Sequence, residues 1–558
     1  MPERLRIKGR PDRDAIERLH CEFMFPDAWM HFFARYALRR GRVSLAMTFI
    51  VLSLVGCAGL PPQAGELPHS YAIADHAGTS LGQLAQRHSD GSATNSGFRL
   101  LPEAAFALDA RVALTRNAER SLDVQYYLIR NDDVGLLLLR ELRDAAARGV
   151  RVRLLVDDLY TGGEEELFAT LATFPNVEVR LFNPLPSRAA ALPARLTLSF
   201  FSLLRINHRM HNKLLVADNS FAVSGGRNIG NEYFMRDPSA NFIDVDMLSS
   251  GPIVRELSKS FDAFWNSAQV RSIGELAPLP ISISMAQRRF DERARTAMSP
   301  AGLRPHDDFG RSPVGEQLMS GKLELHRASA RLYADGPEKL SLEHEAAYRG
   351  SVSEGALEEI AASTESVKIL SPYFIPGPRG MAVLKQLVAS GGRAIVITNS
   401  LGSTDEPLAY AGYERYRPDL LKIGVTVYEV APEGPARRKR FGDFGKSISR
   451  LHAKVALIDN QRIFVGSMNL DHRSASINTE LGIVIQSPAM VKELDSLITA
   501  ERHLEFAYRL RFSPDGRTQW LSHDAEGEHV VHEDVPGSFM WQRIKNWVLL
   551  PILGEELL

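Results

Sequence analysis

A pattern of five residues occurs twice in this 558-residue chain, and it constrains the fold more tightly than anything else in the sequence. The first copy is His211-Asn212-Lys213, then Asp218, then Gly225-Gly226-Arg227-Asn228. The second is His452-Ala453-Lys454, then Asp459, then Gly466-Ser467-Met468-Asn469. Counted from each histidine, lysine stands at +2, aspartate at +7, glycine at +14 and asparagine at +17, and 241 residues separate the copies. A lone His-x-Lys is an ordinary pair of strand residues. A five-position match that repeats reads instead as two halves of one composite site in a duplicated, pseudo-two-fold fold.

The periodicity around each copy follows one plan. Ahead of the first, a helix over Ala104 to Asn117 leads to a strand over Ser121 to Tyr127. A helix from Gly135 to Gly149, a strand over Val150 to Val156, a helix over Glu164 to Thr173 and a strand over Val177 to Phe182 follow. Alternating strands and helices of this kind build a parallel α/β unit. The second half repeats it, with strands expected at Val367 to Leu370, Arg393 to Thr398 and Val425 to Val430. Setting Ser487-Pro488 against Gly251-Pro252 places Glu480 opposite Asp244. The boundaries expected are an N-terminal extension over 1–65, a first domain over 66–280 opening on a polar stretch to residue 100, a linker over 281–330 and a second domain over 331–510. A C-terminal hairpin and tail occupy 511–558, and the two tryptophans, bases and aliphatics of Phe539 to Leu553 suit that tail either to a membrane interface or to capping the core of the second domain.

Two histidines are a natural pair for a two-step displacement at phosphorus: one imidazole attacks while the other protonates the leaving alkoxide, then serves as base for the incoming hydroxyl. Lys213 and Lys454 can hold the non-bridging oxygens, and Asn228 and Asn469 add neutral donors. Asp244 or Glu480 can accept from the far nitrogen of an imidazole and fix its tautomer. Asp218 and Asp459, at strand–turn junctions, are read as supports for the loop and the neighbouring lysine. Tyr127 and Tyr373, at matching strand ends, are expected to line the pocket, with Ser467 beside the substrate. His208 is read as structural or as part of the rim, and Arg227 faces Met468 in the repeat, so it cannot belong to a symmetrical clamp. With two lysines supplying positive charge, the pattern calls for no metal and no cofactor.

A formal net charge of −1 gives no bulk attraction to nucleic acid, so none is expected as a partner. Only two cysteines occur, Cys21 and Cys57. Arg39, Arg40 and Arg42 precede an apolar run from Val43 to Gly56, the order of an export signal over about 39–57 and too short to span a bilayer comfortably. Leu54-Val55-Gly56-Cys57 resembles a bacterial lipobox, with Cys57 the acylated residue and a tether behind it. Ala58, rather than aspartate, is similar to what directs such lipoproteins to the outer membrane, with the site facing the periplasm. The signal begins late, which makes Met30 the expected start.

His-x-Lys-x-x-x-x-Asp twice, each with Gly-Gly or Gly-Ser and Asn behind it, resembles the phospholipase D superfamily over roughly residues 100–558. Met210-His-Asn-Lys213, Gly225 to Tyr233, Thr398-Asn-Ser400 and Ala411-Gly-Tyr413 look like the bacterial cardiolipin synthase C-type branch. The resemblance implies two α/β/α sandwich domains with the active site between them. It also implies phosphatidyl transfer between phospholipids through a phosphohistidine, on phosphatidylglycerol with phosphatidylethanolamine as a further donor, at a membrane surface. It makes His211 the nucleophile and His452 the general acid and base, a choice that the repeat alone leaves open. Hydrolysis of phospholipid head groups to phosphatidic acid stands as the alternative, since water and a lipid alcohol would use the same base. A phosphodiesterase or nuclease stands behind that.

Overall fold

The computed structural model describes residues 60, 65–188, 194–195, 207–295, 297, 303–432, 447–498, 507–523 and 528–536. The signal-like segment with Cys57, residues 433–446 before the second motif and the tail beyond 536 lie outside the described residues.

In the first half the strands are β1 (Asn95–Leu101), β2 (Ser121–Tyr126), β3 (Arg151–Asp157), β4 (Val177–Phe182), β5 (Leu214–Ala217), β6 (Phe221–Gly225), β7 (Ala240–Ile243), β8 (Asp246–Ser250) and β9 (Val270–Ser272). In the second they are β10 (His326–Ala334), β11 (Ser366–Leu370), β12 (Arg393–Asn399), β13 (Thr426–Val430), β14 (Ile448–Leu451), β15 (Val455–Ile458), β16 (Arg462–Gly466), β17 (Leu481–Gln486) and β18 (Ala507–Phe512), extended by β19 (Thr518–His523) and β20 (His529–His532). Pairing in the first half runs β9-β4-β3-β2-β5-β6-β8-β1. In the second it runs β10-β17-β16-β15-β11-β12-β13-β18, the same order reflected. The two sheets join where β1 pairs antiparallel with β10.

Local sequence explains the elements. β2 and β3 are parallel and almost wholly buried, covered on both faces as parallel strands must be. The helix Asp133–Ala147 starts where the Asp132 carboxylate accepts from the Gly135 amide, and the Leu136 to Leu139 run that follows is buried. Each half has an apolar core of its own. A third core takes Phe98, Leu214, Val216 and Met247 from one half and Ala453, Val455, Val465 and Ile483 from the other. Burial is thus shared across the pseudo-dyad, and the halves cannot separate without exposing it.

Three expectations change. The polar stretch before residue 100 supplies a helix, Ser80–Arg87, and the strand β1 that joins the sheets. The stretch 281–330 is not a free linker. Phe290, Ala294, Val314 and Leu323 from it are buried in the core of the first half. Its charges and prolines masked a sparse apolar stripe. Finally, Ile129↔Ile229 and Phe374↔Leu470 are corresponding bridges, so Tyr373 matches Leu128 and stands one residue out of step with Tyr127.

Candidate active site

Each of the two motif histidines is positioned by a strand contact that crosses from one half to the other. Met210 forms a parallel bridge with Thr479. The His211 amide donates to the Thr479 carbonyl at 2.9 Å, and the Thr479 amide to the Arg209 carbonyl at 3.0 Å. The next residue on each side is then forced alongside the other, and His211 Nδ1 lies 3.0 and 2.9 Å from the two carboxylate oxygens of Glu480. The second site is built the same way. β14 runs parallel to β7 with Leu451 opposite Ile243. The His452 and Ala453 amides donate to the Ile243 carbonyl at 2.7 and 3.0 Å, and His452 Nδ1 lies 2.6 Å from Asp244 Oδ2. Each imidazole is therefore oriented by the carboxylate of the opposite half.

Two residues to which the sequence reading gave no role in the site fix the approach of these segments. Asp157, at the end of β3, accepts from the Met210 amide at 2.9 Å and from Arg209 at 3.0 Å. Asn399, at the end of β12, exchanges hydrogen bonds of 2.8 and 2.9 Å with the backbone of Leu451. Both stand at corresponding strand ends and hold the residue directly before a histidine, so the repeat itself carried the signal.

With Nδ1 engaged, Nε2 of each imidazole is the nitrogen left for chemistry. His211, His452, Asn228, Asn469, Tyr127 and Tyr373 all line one cleft of about 690 Å³. The Tyr127 ring stands edge-on to His211, centroids 5.1 Å apart. Tyr233 and Phe242 flank His452 at 5.2 and 5.0 Å. Tyr233 lay within a quoted motif and Phe242 on an alternating strand, but only the cross-half pairing brings them to the imidazole. The mouth adds Arg130, Arg450 and Arg473 against Asp405, Glu406 and Asp471. Among the described residues no group of three or more His, Cys, Asp or Glu is arranged to hold a metal.

Burial dominates the electrostatics. It lowers His211 to about 4, against the opposing pull of Glu480. It also lowers His452, with the Lys454 charge adding and Asp244 opposing. Burial alone would raise Asp244, but the facing His452 overrides it and holds that carboxyl at about 2. Glu480 is likewise held down, by His211 against burial. Lys213 falls to about 7 and Lys454 to about 8, burial outweighing the nearby carboxylates. Each lysine ammonium donates to the carbonyl of the histidine two residues before it, Lys213 to His211 and Lys454 to His452. Burial thus makes both ammoniums costly to charge, a cost that a neighbouring anion would offset.

Several candidates lie elsewhere. Asp218 accepts from the amides of Glu119, Arg120 and Ser121, and Asp459 from those of Thr364, Glu365 and Ser366. These aspartates fasten the starts of β2 and β11, at the far end of the strand from the lysine, and support neither lysine nor proton transfer. Ser467 does not face the cleft either. Its hydroxyl donates to Glu480 Oε2, while Ser474 donates to Oε1 at 2.8 Å. In the other half the matching residue is Gly226, where a Cβ would lie 2.1 Å from Asp244 Oδ1. Arg227 turns away from the cleft, donating to the Asp244 carbonyl and pairing with Asp246, which Arg111 also meets at 2.9 Å. Removing Asp246 would leave two guanidiniums buried together, a loss of roughly 3–5 kcal/mol. His208 Nδ1 donates to the Ile477 carbonyl at 3.0 Å, a tie across the halves. Asn228 Nδ2 donates to the Tyr233 hydroxyl at 3.0 Å.

A family model described as cardiolipin synthase, PLD-like domain, matches residues 112–265 and 356–501. The chain is 35% identical over 442 residues to cardiolipin synthase C of Escherichia coli, spanning 78% of this chain and 91% of that one. It is 27% identical over 410 residues to cardiolipin synthase A of Pseudomonas fluorescens, spanning 73% and 68% of the two. In fold it is similar to the crystal structure of phosphatidylserine synthase from Haemophilus influenzae, with a TM-score of 0.52 at 14% identity over 86% of this chain and 100% of that one.

Proposed function

The chain belongs to the cardiolipin synthase family with phospholipase D-like domains, and from that premise we propose that it is a phosphatidyltransferase joining phospholipids through a phosphohistidine. The observation that carries this reading is the pair of crossed contacts, His211 with Glu480 and His452 with Asp244, opening on one cleft.

His211 Nε2 attacks the phosphorus of the donor lipid. The N–P bond forms as the bond to the head-group oxygen breaks, and His452, which takes up a proton on Nε2 once the negatively charged diester lies beside it, gives that proton to the oxygen. His452 then takes the proton of the acceptor lipid's hydroxyl. The new O–P bond forms, the N–P bond breaks, and both imidazoles return to their starting state. Lys213, Lys454 and the two asparagines hold the non-bridging oxygens while charge develops there. Glu480 and Asp244 keep each Nδ1 protonated and stabilise the imidazolium that forms at each step. Phosphatidylglycerol is the acceptor in this reading, and phosphatidylglycerol or phosphatidylethanolamine the donor.

Purified enzyme with labelled phosphatidylglycerol in mixed micelles, with and without phosphatidylethanolamine, tests it. Cardiolipin is expected, with release of glycerol or ethanolamine. Phosphatidic acid as the sole product, in the presence of ample acceptor lipid, would establish hydrolysis instead.

Among the described residues no helix is long and apolar enough to cross a membrane. The basic, apolar and Gly-Cys order over 39–57 supports an acyl anchor on Cys57 and, with Ala58 behind it, the outer membrane facing the periplasm. Cys57→Ala is expected to release the enzyme from the membrane fraction. Unchanged attachment would remove the anchor from the account.

A further inference from the structure

The halves differ beside the catalytic cleft in one respect that a reaction between two lipids in unlike roles makes significant. Two residues, 102 and 103, join β1 to its helix in the first half, whereas residues 335–351 join β10 to the helix Val352–Ala361 in the second. The longer connection carries a short helix, His344–Tyr348. It helps to enclose a second cleft of about 620 Å³, with Tyr348, Leu357, Ile375, Met468, Leu470 and Ala475 among its walls. Asn469 and Asp471 line both this cleft and the catalytic one.

The corresponding place in the first half is filled. The register of β6 on β8 and β16 on β17, with the bridges of Ile229 and Leu470, makes Phe234 the counterpart of Ala475 and Arg227 that of Met468. Phe234 is 3% exposed and lies under the Arg111 guanidinium, 5.5 Å from ring centre to carbon. Arg227 is wholly buried. An aromatic ring and a guanidinium on one side of the pseudo-dyad are thus a methyl group and a thioether on the other. The change opens a mainly apolar space within the size range of small-molecule pockets, next to a site whose substrates carry long apolar chains.

We propose that this second cleft seats the glycerol and proximal acyl portion of one phospholipid substrate while its phosphate lies between His211 and His452. The assignment rests on the phosphatidyltransferase reading. A symmetrical pair of imidazoles cannot by itself distinguish donor from acceptor, and a seat present on one side only gives the two lipids different places.

The test installs the first half's own residue, Ala475→Phe, and repeats the closure from the opposite wall with Leu357→Trp. Turnover is compared between long-chain phosphatidylglycerol and a p-nitrophenyl phosphodiester that has neither the lipid glycerol nor an acyl chain. The ratio of kcat/KM, lipid over diester, is expected to fall about tenfold in each variant. In parallel, the parent enzyme is irradiated with phosphatidylglycerol bearing a photoreactive group near the start of an acyl chain, and the labelled peptides are mapped. Labelling within 344–357 and 468–476 is expected, and it would support the seat even if the only product were phosphatidic acid. Labelling confined to other peptides, or an unchanged ratio of lipid to diester turnover in both variants, would overturn the assignment.

Discussion

The two halves of the catalytic site share a geometry and differ in how they are held. Glu480, the longer carboxylate, is gripped by the hydroxyls of Ser467 and Ser474. Its backbone is tied to Asp335, whose Oδ2 accepts the Glu480 amide at 2.9 Å and the Lys339 ammonium at 2.7 Å. Asp244, one methylene shorter, has a glycine in the place of Ser467 and, among the described residues, takes only the Val245 amide, at 2.8 Å, besides His452. Beneath it lies the charged cluster of Arg111, Asp246 and Arg227, where the second half has Gly482 packed on Phe464. Duplication supplied the symmetry, and the two imidazoles could then diverge through what stands behind their carboxylates. Unlike roles on a like framework should respond differently to matched substitutions.

The largest effect should come from the imidazoles. His211→Ala and His452→Ala are each expected to lower phosphatidyl transfer by roughly 10⁴-fold or more, since neither step has a substitute group. Quenching in alkaline denaturant after exposure to a phosphorus-labelled p-nitrophenyl phosphodiester, whose departure needs no proton, should leave covalent label on His452→Ala and none on His211→Ala. Label on the latter would reverse the assignment of nucleophile.

Next come the carboxylates. Glu480→Gln and Asp244→Asn are expected to cost roughly 10²- to 10⁴-fold by releasing the tautomer of the facing imidazole. The two should separate when the leaving group is changed. A p-nitrophenyl phosphodiester needs no proton on departure, so it should restore much of the rate of formation of the covalent intermediate to Asp244→Asn and little to Glu480→Gln. Equal rescue of both would mean that the halves do not divide the work.

The supports give a smaller contrast. Gly226→Ala forces a Cβ onto Asp244 and should reduce kcat by roughly 10²-fold, while Ser467→Ala loses one hydrogen bond to Glu480 and should cost about tenfold. Comparable losses would show that the crowding at Gly226 is absorbed.

The pH response is gentler still. Lys213 and Lys454 lose their protons through about pH 7 and 8 in the free enzyme, so kcat/KM should fall above that range as the anion clamp is discharged. Between those values and the ordinary lysine range the unfolded chain binds protons that the folded site does not. Stability of the unliganded enzyme should therefore rise with pH across the window, and thermal unfolding should show a Tm that climbs from pH 7 to 9. Saturating vanadate should flatten that rise. A Tm that falls steadily over the same window would place the lysines in water.

The sequence went furthest where the repeat could be checked against itself. The order of parallel strands, the correspondence of Asp244 with Glu480 and the residues of both motifs were all legible from spacing. What escaped it depends on the third dimension. Which carboxylate meets which histidine is decided by β7 on β14 and by Met210 on Thr479, contacts between residues more than 200 positions apart. Asp218 and Asp459 matched so well that they read as part of the site, yet the repeat preserves a strand anchor as faithfully as a catalytic group. Ser467 stood in the motif and acts one layer behind it. Phe234 and Ala475 gave no signal until the aligned halves showed one space filled and the other open.

A crystal structure of the enzyme with vanadate bound would probe the composite site most directly. The account predicts a single vanadium in the cleft, Nε2 of His211 on one axial side, the oxygen opposite it hydrogen-bonded to Nε2 of His452, and the Lys213 and Lys454 ammoniums on the equatorial oxygens. Vanadate held by one imidazole alone, with the other turned to a separate cavity, would contradict it.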